Sequence, residues 1–222
     1  MSEMMEQWLT ELLNVNDKEE AKMTEKQIKI LKAAVEIFSE KGYAASSTSE
    51  IAQKAGVAEG TIFRHYKTKK DLLISIVAPT VSKLIAPFVL KDFNKVLEAP
   101  YPKYEDFLRA VIKNRMEFAR NNLQILKILI QEIPFQPDLR ENFKQSIGKQ
   151  VLERITKVVE RYQKEGTIIS IPPLSVIRLS VSTIIGFFLA RFILFPELDW
   201  DEELETELTI DFIMHGLSPR YE

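Results

Sequence analysis

Residues 47–66 read Ser-Thr-Ser-Glu-Ile-Ala-Gln-Lys-Ala-Gly-Val-Ala-Glu-Gly-Thr-Ile-Phe-Arg-His-Tyr, and this stretch decides the fold of the N-terminal part of the chain. Ser47 or Thr48 offers a hydroxyl to the exposed amides of a new helix, and Glu50, three residues after Ser47, is spaced for the reciprocal bond of a capping box. Ile51, Ala52 and Ala55 give that helix an apolar stripe whose small side chains permit close approach. Gly56 supplies the positive φ of a helix-ending turn. Val57 then plugs the core, and Glu59, Gly60 and Thr61 open a second helix that exposes Thr61, Arg64 and His65 beside the apolar Ile62 and Tyr66. Two short helices joined through one glycine predict a helix-turn-helix, whose second helix lies in the major groove of DNA.

Outward from this motif the spacing stays helical. Ile28, Leu31, Val35 and Phe38 form one stripe between Glu25 and Lys41, with Gly42 ending the helix that supports the motif. After Tyr66 a further helix starts at Thr68, runs through Ile76 and meets Pro79 and Pro87, which bend or break it. Tyr104, Phe107, Leu108, Val111, Ile112, Arg115, Phe118 and Ala119 make the next stripe. Leu123 to Ile133 reads as a short buried helix before a proline corner. Phe143, Ile147, Val151, Ile155, Val158 and Tyr162 predict one long amphipathic helix closed by Gly166. Pro172-Pro173 opens an all-round apolar helix that Pro196 closes, and a last helix runs from Trp200 to His215. With little glycine and no strongly β-patterned segment, the chain is expected to be all-α: an N-terminal three-helix helix-turn-helix domain followed by a larger helical domain for ligand binding and dimerisation. The divisions expected are an extension over 1–23, a DNA-binding domain over 24–70 with the helix-turn-helix at about 47–66, and the ligand-binding and dimerisation domain over 71–222.

A chain of 222 residues, 45% apolar, buries a real core. Its net charge of −2 means that any surface for nucleic acid is local. Between Lys22 and Lys70 the bases Lys22, Lys26, Lys29, Lys32, Lys41, Lys54, Arg64, Lys67, Lys69 and Lys70 outnumber Glu25, Glu36, Glu40, Glu50 and Glu59 two to one. The absence of cysteine excludes disulfides and thiolate chemistry. The N-terminus lacks a secretory pattern, so a cytoplasmic protein is expected. The apolar stretch from Leu174 to Phe195 is interrupted by Arg178 and Arg191, and its uncharged run falls short of the roughly 20 residues of a membrane span; no membrane partner is expected.

The pattern Ile30-Leu31-x-Ala33-Ala34-x-x-x-Phe38-x-x-x-Gly42-Tyr43, followed by Ser47 to Tyr66, Lys69 and Leu72-Leu73, resembles the TetR family of bacterial transcription regulators over about fifty residues. Ala58 stands where the family often has Ser, Phe63 where it has Tyr and Tyr66 where it has Phe. The resemblance implies that Thr48 and Lys69 contact backbone phosphate, that Gly60 and Thr61 pack on the bases, that Phe63 and His65 occupy ring-bearing recognition positions, and that Arg64 fills a variable slot suited to guanine. The expected DNA-binding residues are Ser47, Thr48, Gly60, Thr61, Phe63, Arg64, His65, Tyr66, Lys67 and Lys69. The function implied is a ligand-responsive regulator, a repressor, binding a palindromic double-stranded DNA operator as a homodimer and released by a small lipophilic effector. The alternative is a helical small-molecule binding protein whose head no longer reads DNA.

Only two histidines occur, His65 and His215, and no glycine-rich phosphate loop, so no catalytic triad or histidine metal site can be assembled. No enzyme, metal or cofactor is expected. Arg115 and Arg191 stand on otherwise apolar stripes, where a charge must snorkel, pair or face a cavity. With Phe118, Gln131, Glu132 and Phe188 they are the candidate effector-binding residues, unless Glu132 pairs with one arginine as an internal strut. Ile184, Phe187, Leu208 and Phe212 on the last two helices are the candidate dimer contacts, because a single chain buries only one side of an all-round apolar helix.

Overall fold

The computed structural model describes residues 24–79, 93–145 and 149–216, and these are helical with no strand among them. The extension over 1–23, the break expected at Pro87, the contact of Ile147 and Pro219 lie outside the described residues. Four helices form the N-terminal part: α1 (Glu25–Ala45), α2 (Thr48–Ala55), α3 (Glu59–His65) and α4 (Lys69–Pro79). A helical stretch at 93–98 follows, then α5 (Tyr104–Asn121), α6 (Leu123–Glu132), α7 (Pro137–Phe143), α8 (Lys149–Lys164), α9 (Pro173–Leu189) and α10 (Glu202–His215).

The chain divides into two compact units, residues 1–90 with 121–149 and residues 91–120 with 150–222. This differs from a single body over 71–222, because α6 and α7 cluster with the head. In the first unit α1 is the central element. A capping box at Thr24 and Gln27, a spacing present in the sequence but not read from it, starts this helix. Ile30, Leu31, Ala34 and Phe38 are fully buried, each large one contributing about 1.5–3 kcal/mol through burial. The helix packs against α2, α3, α4 and α6. At Gly42 the backbone leaves helical geometry at φ 79°, ψ 160°, and one more turn forms before Ser46. From α6, Ile125, Ile128 and Leu129 turn inward, and α7 lies against α4 with a Lys70–Asp138 ion pair of 2.7 Å.

The second unit has an aromatic centre. Tyr104, Phe107 and Tyr162 meet with centroids 5.2 to 6.5 Å apart, and the Tyr162 hydroxyl donates to the Tyr101 carbonyl at 2.9 Å. Arg109 forks onto Glu207 at 2.6 and 2.8 Å, tying α5 to α10. Of the long helix expected through Phe143 and Tyr162, the described residues give α7 and α8, and 146–148 lie outside the described residues. Residues Ala190–Leu194 widen into a π-helical turn, and Pro196 disfavours helical geometry at Phe195, so the helix stops there. By length and mean hydropathy (1.8) Pro173–Leu194 is apolar enough to cross a membrane. Within its unit, however, Ile177, Ser180, Ile184, Phe187 and Phe192 are buried, as in the core helix of a folded domain. Its other face, with Leu179, Val181 and Ile185, is exposed.

Candidate nucleic-acid interface

The helix-turn-helix forms from the residues that the sequence nominates. The Ser47 hydroxyl accepts from the Glu50 amide at 3.1 Å, and the Ser47 amide donates to the Glu50 carboxylate at 3.0 Å. Lys41 reaches the same carboxylate at 2.6 Å. This ammonium foremost, then the Ser47 amide and hydroxyl, holds the Glu50 carboxyl below its ordinary pKa. Gly56 adopts the left-handed conformation, φ 67°; a Cβ there would meet no atom within 4 Å, so the backbone angle alone calls for glycine. Val57, expected as a core plug, is only half-buried. Ala58 caps α3 without a side-chain bond, as its missing hydroxyl dictates.

On α3, Ile62 is fully buried, whereas Gly60, Phe63, Arg64 and His65 are exposed and Thr61 is half-buried. Phe63 keeps 48% of its surface in solvent. Gly60 lies in open space without a positive φ, so nothing in the head itself requires glycine at this position. Arg64 and Lys67 make no ion pair among the described residues and present their charge outward. Ser47 is exposed at the start of α2.

Three of the expected DNA contacts have internal duties. Tyr66 is 7% exposed: its ring belongs to the core and its amide closes α3 on the Ile62 carbonyl. Lys69 donates to the carbonyls of Tyr43 and Ser46, both at 2.7 Å, with its ammonium 4.3 Å from the Tyr43 ring centre. It thereby staples the α1–α2 junction to the start of α4. The Thr48 hydroxyl donates to Glu59 at 2.6 Å, joining α2 to α3. Among the other bases, Lys54 pairs with Glu36 at 2.8 Å and Lys70 with Asp138, so part of the basic excess is taken up by ion pairs within the head.

The six candidate effector residues fall in both units. Gln131 and Glu132 are in the first, against the end of α1: a Cβ on Gly42 would lie 3.2 Å from Gln131 Oε1. Burial first, and then the charge of the buried Glu132, pushes the Tyr43 hydroxyl above its ordinary pKa. Arg115, Phe118, Phe188 and Arg191 are in the second unit. The Arg115 guanidinium lies over the rings of Phe93 and Phe118, at 4.6 and 5.0 Å, and bonds to Asn114 Oδ1. Phe188 meets Phe187 and Phe192 edge-on. Arg191 pairs with Glu202 at 3.1 Å, and Arg120 takes the other oxygen of that carboxylate. Of the four candidate dimer contacts, Ile184 and Phe187 are buried in the chain's own core, while Leu208 and Phe212 are exposed.

Among known proteins, residues 30–76 match the family model described as bacterial regulatory proteins, tetR family. The fatty acid metabolism regulator protein of Bacillus subtilis is 45% identical over 60 residues, 27% of this chain and 31% of that protein. The chain thus spans about a third of that relative's length. In fold, it is similar to the crystal structure of FadR from Bacillus subtilis in complex with stearoyl-CoA, with TM-score 0.62, 22% identity, and 86% and 99% of the two chains covered. It is also similar to a transcriptional regulator from Saccharomonospora viridis in complex with choline, with TM-score 0.63, 18% identity and coverage of 89% and 100%. Over residues 30–76, its helix-turn-helix head is that of the tetR family of bacterial regulatory proteins.

Proposed function

We propose that the protein is a ligand-responsive transcriptional repressor that binds a palindromic operator as a homodimer and is released by a small lipophilic effector. The observation that carries this reading is the outward face of α3, where Gly60, Phe63, Arg64 and His65 are left uncovered beside Lys67. An exposed ring and an exposed guanidinium on a helix of this motif suit base edges and thymine methyls in the major groove. Ser47, Thr61 and the third N–H of Lys69 are placed with the phosphate-facing and base-facing groups; Thr48 and Tyr66 contribute by holding the helix.

Dimerisation is assigned to α9 and α10. These helices pack together and leave Val181, Ile185, Leu204, Leu208 and Phe212 exposed, an apolar surface that a second copy would cover. Gly186 adds to this reading: it sits exposed within a helix, with no atom within 4 Å of an added Cβ. A twofold pair then sets its heads one helical turn apart, about 34–36 Å on DNA. The effector class suggested by the FadR structure with stearoyl-CoA is a long acyl chain with an anionic head. Phe118 and Phe188 suit the chain, and Arg115 and Arg191 the head. An effector acts only through unequal affinity for the DNA-bound and free states. In the cytoplasm such a molecule would report lipid supply.

The test is selection of duplex DNA from a random pool by the full chain, followed by anisotropy titration of the selected duplex with and without stearoyl-CoA. A twofold-symmetric sequence whose binding is weakened by the acyl-CoA supports the proposal. Recovery of no preferred sequence overturns the regulator reading; a preferred sequence indifferent to acyl-CoA overturns the effector class alone.

A further inference from the structure

We infer that Glu59 is a positioning residue for DNA reading and that Thr48 serves it through the Thr48–Glu59 hydrogen bond. This inference rests on the DNA-reading function proposed above and reassigns the role that the family resemblance implies for Thr48. A threonine hydroxyl has one proton to give. Here that proton is directed at Glu59 Oε1 at 2.6 Å, the short distance of a bond to an ionised acceptor. Donation to a phosphate would require the same proton, so the two roles compete for it.

The bond is placed where it controls orientation. Thr48 is the first residue of α2 and Glu59 the first of α3. The two helices meet at the Gly56 turn, and α3 has no side-chain cap at Ala58. Ile62 anchors α3 to the core, and Tyr66 fixes its end. The Thr48–Glu59 bond is the side-chain tie at its beginning, so it sets the angle at which Gly60, Phe63 and Arg64 are presented. Glu59 is half-buried and makes no other hydrogen bond or ion pair among the described residues. A half-buried carboxylate on a helix meant for a polyanion carries a cost, which a positioning role offsets.

The consequence concerns specificity rather than general affinity. Phosphate contacts set affinity for every sequence, whereas base contacts depend on the pose of the recognition helix. The experiment measures binding of the full chain to its selected duplex and to an unrelated duplex of equal length, for Thr48→Val, Glu59→Ala, the double variant, and the conservative Thr48→Ser and Glu59→Gln. Each disrupting single variant is expected to lower the ratio of specific to unrelated binding on the order of tenfold, the weight of one charge-assisted bond. The double variant should lose no more than either single one. Thr48→Ser, which keeps the donor, should retain the parent ratio, and Glu59→Gln, which keeps an acceptor without its charge, should retain more of it than Glu59→Ala. Folding is followed by urea midpoint; if a disrupting variant unfolds, the two conservative variants and Thr48→Ala decide the matter by the same ratio. The inference is overturned if Thr48→Val weakens both duplexes by the same factor, if the single effects multiply in the double variant, or if Glu59→Ala leaves the ratio unchanged. A parent chain with no preferred sequence would refute the DNA-reading function itself, and the inference with it.

Discussion

Replacing Lys69 with methionine separates two roles that the sequence alone merges. The variant keeps most of the stem and removes the ammonium, which bonds the Tyr43 and Ser46 carbonyls at 2.7 Å and lies 4.3 Å from the Tyr43 ring centre. Hydrogen bonds to a charged partner contribute about 1.5–3 kcal/mol each when well sheltered. Lys69 is half-buried, so water can satisfy the freed carbonyls in part, and the pair together is worth about 2 kcal/mol on that scale. The ring contact adds roughly 0.5–1 kcal/mol at a site open to solvent. A loss of about 2 kcal/mol in local opening corresponds to about 30-fold faster amide exchange. Hydrogen exchange followed by mass spectrometry over residues 43–52 should show this acceleration, with the peptides of α5 and α8 unchanged. If Lys69 serves phosphate only, exchange stays at the parent rate, DNA binding weakens for all sequences, and the slope of log affinity against log salt falls by about one. Parent-like exchange in the variant would refute the staple.

The remaining predictions concern the face of α3, the dimer and pH. Gly60→Ala should stabilise the protein by about 0.5–1 kcal/mol in urea unfolding, since alanine favours helix and the site is open, and should weaken binding to the selected duplex; a destabilised variant would contradict the open site, and unchanged binding would contradict its place against the bases. Arg64→Ala should relax preference at one operator position, at about 1–3 kcal/mol of discrimination, in a repeat of the DNA selection. Ile185→Glu or Leu208→Glu should give a folded monomer in analytical ultracentrifugation, whereas Ile184→Glu should fail to fold because Ile184 is in the core; a dimer that survives both exposed-face changes would place the interface elsewhere. The folded-state pKa of Glu50 lies below its ordinary value, so its stabilisation is complete above the ordinary carboxylate range and disappears as pH falls through the depressed value. The stability gap between parent and Glu50→Gln should therefore close in acid, and a gap constant from neutral to acid pH would rule this out.

The sequence by itself determined the local structure of the head. Ser47 with Glu50, the left-handed Gly56 and the buried Ile51, Ala52 and Ile62 depend on neighbours a few residues away, so spacing carries them. The all-α fold and most helix ends were legible for the same reason, since prolines and glycines act where they stand. What only the tertiary structure decided involves partners distant in the chain. Lys69 turns to carbonyls more than twenty residues earlier, Arg191 to Glu202, and Lys70 to Asp138; a basic residue in sequence shows a charge but not which acceptor holds it. Period alone could not show that α6 packs on α1, because an apolar stripe names a buried face without naming what buries it. Ile184 and Ile185 make the point most directly. Both are isoleucine on one apolar helix, and only the direction of each side chain, inward for Ile184 and outward for Ile185, separates a core residue from one left for a partner.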